Sequence, residues 1–374
     1  MIIKRRRYFK EGQTNLLLQK NTILRLSSLF LYFIIIPLIA ACGSTTGGQP
    51  QHSFEGTFAF QSMTDQQIFK LKIHRNQLFT GTSQGLVSFD IYSGLERSGN
   101  YMRKSSVPTF VILRDNAWLI SANFGSDNSS SNIYKSTDRG NSWFSYTNGF
   151  GGSRKVIPHT MDAVNETPSA IFARPASLTN VARSTNGGES WDSVIGSWEN
   201  PNFGTSSFVK IDPYYPKRVW AGGATAYFRP TLLKSVNNGK DWKGLVVIEN
   251  VETTVYDVAT NPSNPDRVLA GLGIGIRKST DGGETWETVL EGINTRTFTH
   301  SVSDPAVVYA SGINAQGTLF FAASGDFGNT WEIVEMDDSP AGVQVNDMVS
   351  VMEDGREVLY FGTNKGVFSY TFEE

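Results

Sequence analysis

The chain of 374 residues contains a single cysteine, Cys42. Without disulfides, a domain of this size must be held together by a large hydrophobic core. Only four histidines are present, and no Cys/His cluster has the spacing of a metal site. No Gly-rich phosphate loop and no Ser-His-Asp signature occurs. We therefore expect no metal and no other cofactor.

Long apolar runs are also scarce. The cationic start "MIIKRRRYFK" leads, after a polar stretch, to "LFLYFIIIPLIAAC", Leu29–Cys42. This pattern predicts a secretory signal, because a comfortable transmembrane helix needs roughly 20 apolar residues. The alternative is an ordinary signal peptide or a membrane anchor, in either case with an incidental cysteine.

The end of that run, "IAAC" at 39–42, resembles the lipobox of bacterial lipoproteins. The resemblance implies that residues 1–41 are removed and that Cys42 carries lipid such as palmitate. Residues 42–55, rich in Gly, Ser, Thr and Gln, would be a flexible tether, and 56–374 a single domain. Gly43 follows the cysteine, with no Asp there to retain the protein at an inner membrane. The implied location is the cell envelope, at the outer membrane if the organism has one.

Positive charge is scarce once the signal is set aside. Residues 1–41 hold seven of the 33 Lys and Arg residues and one of the 35 Asp and Glu residues, so the remainder carries about −8. Phosphate binding needs concentrated positive charge, so nucleic acid is not an expected partner. A monomer is expected.

Glycine and tryptophan, by contrast, recur in a repeated motif. Its five copies are "STDRGNSW", "STNGGESW", "SVNNGKDW", "STDGGETW" and "SGDFGNTW", with tryptophans 48, 51, 44 and 45 residues apart. A period of roughly 40–50 residues indicates a propeller or a solenoid. Short alternating runs flank each copy, which predicts a β-hairpin whose turn is the motif.

The turn chemistry follows from the residue types. Asp or Asn at the third position can accept backbone N–H groups, Gly at the fifth supplies a positive φ, and Trp packs as the next strand begins. The pattern resembles the Asp-box (BNR repeat), S-x-D-x-G-x-x-W, of sialidases, sortilin-type receptors, xyloglucanase-type hydrolases and photosystem assembly factors. The matching positions are Ser136, Asp138, Gly140, Trp143; Ser184, Asn186, Gly188, Trp191; Ser235, Asn237, Gly239, Trp242; Ser279, Asp281, Gly283, Trp286; and Ser324, Asp326, Gly328, Trp331.

The number of repeats predicts an all-β fold. Strands such as "VWAGG", "VLAGL" and "LYFGT" occur seven times, which gives a seven-bladed β-propeller of four-stranded blades; six blades are the alternative. The last unit has strands near 345–352, 357–362 and 366–372. Its fourth strand is predicted at 57–61, so that an N-terminal strand closes the ring and removes an open edge.

The resemblance implies that the boxes are structural, because in the enzymes that carry them they lie away from the active site. A site is therefore expected where the innermost strands begin. Aligning these strands on their "NP" and "DP" turns puts Asp257 level with His300, with Asp347 and Asp162 at the same place. One interpretation is a polar site at the mouth of the central channel, where the acids raise one another's pKa and draw His300 toward its cation. The alternative, which we favour, is that a hydrated channel mouth simply tolerates polar residues.

Three functions remain open from the sequence. The favoured one is an envelope-anchored module that binds a protein or glycan and is not an enzyme. The second is a glycoside hydrolase, sialidase-like or otherwise exo-acting, that uses the channel carboxylates. The sialidase "R-I-P" motif is absent from the first inner strand, "IFKLKIH", and the nearest string is "YFRP" in the fourth unit. The third is an assembly factor for a membrane complex.

Overall fold

The computed structural model describes residues 5–8, 54–62, 66–92, 96–113, 117–123, 132–146, 149–152, 156–163, 170–175, 178–199 and 204–373. Cys42 and the tether up to residue 53 lie outside these ranges. No helix among the described residues is long and apolar enough to cross a membrane.

The described residues form seven antiparallel sheets, in each of which four strands lie in order from the channel outward, and one of these sheets carries a fifth strand at its outer edge. This confirms the seven-bladed β-propeller. The strands of blades 1 to 7, innermost first, are Ile68–His74, Gln77–Thr82, Gly85–Asp90, Glu96–Tyr101; Ser106–Ile112, Trp118–Asn123, Asn132–Ser136, Phe144–Ser145; Pro158–Ala163, Ile171–Pro175, Val181–Ser184, Asp192–Ile195; Gly204–Ile211, Val219–Thr225, Pro230–Ser235, Lys243–Leu245; Val255–Thr260, Val268–Leu272, Gly275–Ser279, Glu287–Glu291; Ile293–His300, Val308–Asn314, Leu319–Ser324, Trp331–Glu335; and Val345–Glu353, Arg356–Thr363, Gly366–Phe372, Gly56–Ser62.

The ring closes as predicted, since Gly56–Ser62 pairs antiparallel with Gly366–Phe372 as the outermost strand of blade 7. The closure is reinforced by the Tyr370 hydroxyl, which donates to the Phe54 carbonyl at 3.0 Å. A further strand, Arg5–Tyr8, pairs with the outer strand of blade 6. It belongs to the segment that the lipobox resemblance predicts to be removed, and would then be absent from the mature protein.

The strand order gives the disc two different faces. Turns from the first to the second strand and from the third to the fourth lie on one face, which we call the box face. Backbone bonds confirm this, because Gly282 of a box turn donates to Asp266 in the first turn of the same blade at 2.8 Å. The hairpins between second and third strands, and the crossings between blades, lie on the opposite face, the loop face.

The box turns form the same hydrogen bonds in all five copies. The Ser hydroxyl donates to the Asp or Asn Oδ1 at 2.8–3.0 Å and accepts the N–H of the box Gly at 2.7–2.9 Å. The same Oδ1 accepts the N–H of the seventh box residue. The five Gly φ angles are 74–98°, a region that disfavours residues with a Cβ.

The hydrophobic core lies between successive blades. Leu269 of blade 5 packs with Phe320, Phe327 and Trp331 of blade 6. A Cβ at the blade 6 box Gly328 would come within 2.7 Å of the Leu269 side chain, so this glycine is required by packing as well as by its φ. Trp331 is buried, whereas Trp286 is only half-buried at the edge of its cluster. The box tryptophans are therefore not equivalent.

Candidate functional site

A cavity of about 930 Å³ runs along the propeller axis and is lined by the innermost strands of all seven blades. Each of these strands carries a register shift close to where it begins. Such bulges re-aim side chains. In each innermost strand, the first residue that pairs with the second strand after the shift lies at the same level of the channel. We name these seven residues the bulge ring: Lys70, Thr109, Thr160, Phe208, Asp257, Thr297 and Asp347.

Carboxylates in the ring are bound to the neighbouring blade. Asp347 of blade 7 accepts the backbone N–H of Leu71 in blade 1 at 2.8 Å through Oδ2, and that of Met348 at 2.9 Å through Oδ1. Asp257 of blade 5 does the same with Phe298 in blade 6 and Val258, both at 2.8 Å. Each carboxylate therefore links two blades through backbone donors.

Asp162 repeats this arrangement two residues further along its strand. Its Oδ2 accepts the Ile211 N–H of blade 4 at 2.8 Å, and its Oδ1 accepts that of Ala163 at 3.0 Å. Register makes Thr160, not Asp162, the counterpart of Asp257, because Thr160 pairs with Arg174 just as Asp257 pairs with Gly271. Asp162 thus lines the channel, but deeper than predicted.

Two lysines that sequence reasoning missed complete the charged wall. Lys210 Nζ lies 2.8 and 2.9 Å from the Asp257 oxygens and 2.9 Å from the Val258 carbonyl, which uses all three of its donors. Lys70 Nζ donates to the Met161 carbonyl of blade 3 at 2.5 Å. Both lysines interrupt apolar strands, in "IFKLKIH" and "FVKIDP", and that pattern was the available signal.

The enclosed channel changes the pKa of its charged groups in opposite directions. Burial raises the pKa of Asp347, although the two backbone donors and Lys70 partly oppose the rise. Burial also lowers the pKa of Lys70, while Asp162 and Asp347 act in the other direction. Burial disfavours the charged form of each group, whereas the attraction between the Lys70 ammonium and the Asp347 carboxylate favours both charged forms.

His300 does not belong to the ring, and its predicted alignment with Asp257 was wrong. The Asn261 N–H donates to the Arg267 carbonyl in blade 5, and the Ser301 N–H donates to the Val307 carbonyl in blade 6. Because these two hydrogen bonds are equivalent, the residue before each donor is equivalent too, and Thr260 is the counterpart of His300. The turn "TNPSNPD" contains two prolines, and the one corresponding to Pro305 is Pro265. Aligning on the other proline shifts the strand by three residues, an odd number that also moves the side chain to the other face.

His300 lies instead at the end of its strand, toward the box face. Its Nδ1 is 2.9 Å from the Pro305 carbonyl, and its ring packs edge-on to Tyr214 and stacks on Phe327. Burial lowers its pKa to about 4, opposite to the predicted direction. A neutral imidazole in an aromatic cluster is the result.

The mouth of the channel on the loop face carries a second feature that the sequence did not predict. The guanidinium of Arg296, in blade 6, lies over the ring of Tyr256, in blade 5, with its Cζ 4.7 Å from the ring centroid. Both residues line the cavity one residue before the bulge ring. Among the described residues, no group of three or more His, Cys, Asp or Glu residues could hold a metal.

The box acids are bound within their own turns. Hydrogen bonds from Thr285, first its hydroxyl and then its backbone N–H, and from Ser279 lower the pKa of the Asp281 carboxyl. The same kind of contacts, from Ser142 and Ser136, bring the pKa of Asp138 to about 2. These carboxylates accept hydrogen bonds within their own turns, and they face away from the loop-face mouth.

Comparison with known proteins identifies the fold of the chain but assigns it to no family. No protein-family model matches the chain, and no curated protein matches it. Similar solved structures include the GH74 enzyme of Niastella koreensis (TM-score 0.57, 17% identity, 82% of this chain and 43% of that one). Others are YCF48 bound to D1 peptide (0.59, 12%, 85% and 95%) and the extracellular domain of the hybrid two-component system BT3049 from B. thetaiotaomicron (0.60, 11%, 84% and 41%).

The chain thus spans less than half of the GH74 enzyme and of BT3049 but nearly all of YCF48. At these identities the similarity shows the fold alone. What the chain shares with these proteins is a β-propeller.

Proposed function

We propose that this protein is a ligand-binding propeller of a bacterial cell envelope, anchored by lipid on Cys42, and that its ligand is an envelope protein or glycan. The observation that carries the binding role is the state of the channel carboxylates. Asp162, Asp257 and Asp347 each use both oxygens to accept backbone N–H groups. Acids that hold neighbouring blades together are poorly placed to exchange protons with a substrate.

The entry point of the chain supports this arrangement. Gly56 pairs with Phe372 at the box-face end of blade 7, so the segment that follows Cys42 reaches the domain on the box face. An anchor there, on a flexible tether, leaves the loop face with its channel mouth open to a ligand. Loops on a rigid scaffold are the usual place for recognition.

Cys42→Ser tests the anchor. We expect the variant to incorporate no palmitate analogue in cells and to remain an uncleaved precursor, because the thiol is the lipid acceptor. Equal labelling of the variant and the wild type would contradict the lipobox assignment.

The alternative, a glycoside hydrolase, is favoured by one observation, the raised pKa of Asp347. A pKa raised above its ordinary value is the direction of change that a general acid requires. The purified full-length protein should therefore be screened with chromogenic glycosides, sialosides included, beside Asp257→Asn and Asp347→Asn. We expect background turnover for all three proteins. Wild-type turnover that disappears in a folded Asn variant would establish the hydrolase and overturn the binding role.

A further inference from the structure

The charged side chains of the channel differ in how many of their hydrogen-bonding groups already have a partner. The carboxylates of the wall already accept backbone donors, and Asp257 also accepts Lys210. Lys70, in contrast, donates to one carbonyl, and an ammonium carries three N–H groups. Among the described residues it has no second hydrogen bond, so two of its donors are available inside the channel.

Arg296 is the second donor-rich group. Its contact within the described part of the chain is with the face of Tyr256, which engages none of its five N–H groups, and its Nε is buried without a hydrogen-bond partner. A buried guanidinium donor that lacks an acceptor is costly, and Arg does not lose its proton to relieve that cost. An acceptor from outside would do so.

The charges around the loop-face mouth also favour an acceptor from outside. Lys70, Lys210 and Arg296 face three acids, but backbone dipoles already compensate those acids. Lys210 is already paired with Asp257, so Lys70 and Arg296 are the cations that lack a full set of acceptors, in a cavity whose walls strengthen their field. Burial that disfavours the Lys70 ammonium is relieved when an anion approaches it.

Building on the proposed binding function, we propose that the loop-face mouth of the channel receives a carboxylate-bearing ligand. Arg296, held flat on Tyr256, presents a planar fork of donors that matches a carboxylate in a bidentate manner. Lys70 lies deeper, at the bulge ring, and donates to a second acceptor of the same ligand. The carboxylate can belong to an acidic peptide or to an acidic sugar, since either supplies the same chemistry.

Calorimetric titration of the full-length protein with four probes separates the two sources: a pentaglutamate peptide, a pentaglutamine peptide, pentagalacturonate and neutral xyloglucan oligosaccharide. We expect binding of one carboxylate probe that exceeds its neutral counterpart, and that weakens as salt increases. Arg296→Gln should weaken it about tenfold or more, Arg296→Lys should recover only part, and Lys70→Met should weaken it severalfold.

Lys240→Met is the matched control, because it removes one charge from an exposed box-face position. It should bind like the wild type. Equal affinity for charged and neutral probes, unchanged affinity in both Arg296→Gln and Lys70→Met, or no binding of either carboxylate probe at millimolar concentration would overturn the inference. Neutral glycan binding that ignores Arg296 would refute the carboxylate site but leave the binding function, whereas glycoside turnover would refute the function itself.

Discussion

Replacing Asp257 is the sharpest test of whether the channel acids are structural. Its carboxylate joins blades 5 and 6 through the Phe298 N–H and binds Lys210 of blade 4, so one side chain connects three blades. Asp257→Ala should weaken the fold considerably. Asp257→Asn should weaken it less, because an amide oxygen can still accept one backbone N–H while its NH₂ group opposes the other donors.

The magnitude follows from what each change leaves behind. In Asp257→Ala the Phe298 N–H, beside a side chain that is 4% exposed, loses its acceptor, which costs about 1–3 kcal/mol. Removing one partner of a buried ion pair costs about 3–5 kcal/mol, but the Lys210 side chain is 30% exposed and keeps its bond to the Val258 carbonyl. We therefore expect about 2–4 kcal/mol for Ala and about 1–2 kcal/mol for Asn.

Urea unfolding at pH 7 measures both variants, and Lys210→Met completes a double-mutant cycle. The cycle should show a favourable coupling of about 1 kcal/mol or more, since the two residues share a network. Unfolding free energies for Ala and Asn that match the wild type would refute the structural role. If Asn also abolished a turnover that the wild type possessed, the carboxylate would instead be catalytic.

Three further predictions concern other parts of the disc. Ser279→Ala should cost about 1–3 kcal/mol in urea unfolding, because the buried Gly283 N–H loses its acceptor at 2.7 Å; a cost near zero would remove the structural role of the box hydroxyl. Trp331→Ala should cost about 3–5 kcal/mol and half-buried Trp286→Ala clearly less, and the reverse order would contradict the packing. His300 should titrate by NMR with a midpoint of about 4, well below 6.5, so that stability falls as pH decreases between these values; a midpoint at 6.5 would place the ring in solvent.

The fold was predictable because its determinants are local and repeated. A box turn is specified within eight residues, by hydrogen bonds such as that from Ser279 to Asp281. The period of the motif then sets the size of a blade, and the number of repeated strands sets the number of blades. Even the closing strand near 57–61 could be predicted, since the last repeat lacks one strand and a sheet edge must be covered.

The candidate site was only partly predictable, because a few neighbouring residues do not determine how far along its strand each site residue lies. Asp257 and Asp347 lie at one level of the channel, but His300 was shifted by three residues through the choice between Pro262 and Pro265. A two-proline turn does not reveal which proline sits at the equivalent bend. The backbone bonds across the turn reveal it.

By itself, the sequence determined the blade, because turn residues and alternating strands act over a few neighbouring positions. Tertiary structure alone decided which side chains meet in the channel. Lys70 reaches the carbonyl of Met161, 91 residues away, and Asp347 reaches the backbone of Leu71 across the closure of the ring. These partners come together because seven bulged strands converge on one axis, and strand period gives no information about which levels then coincide.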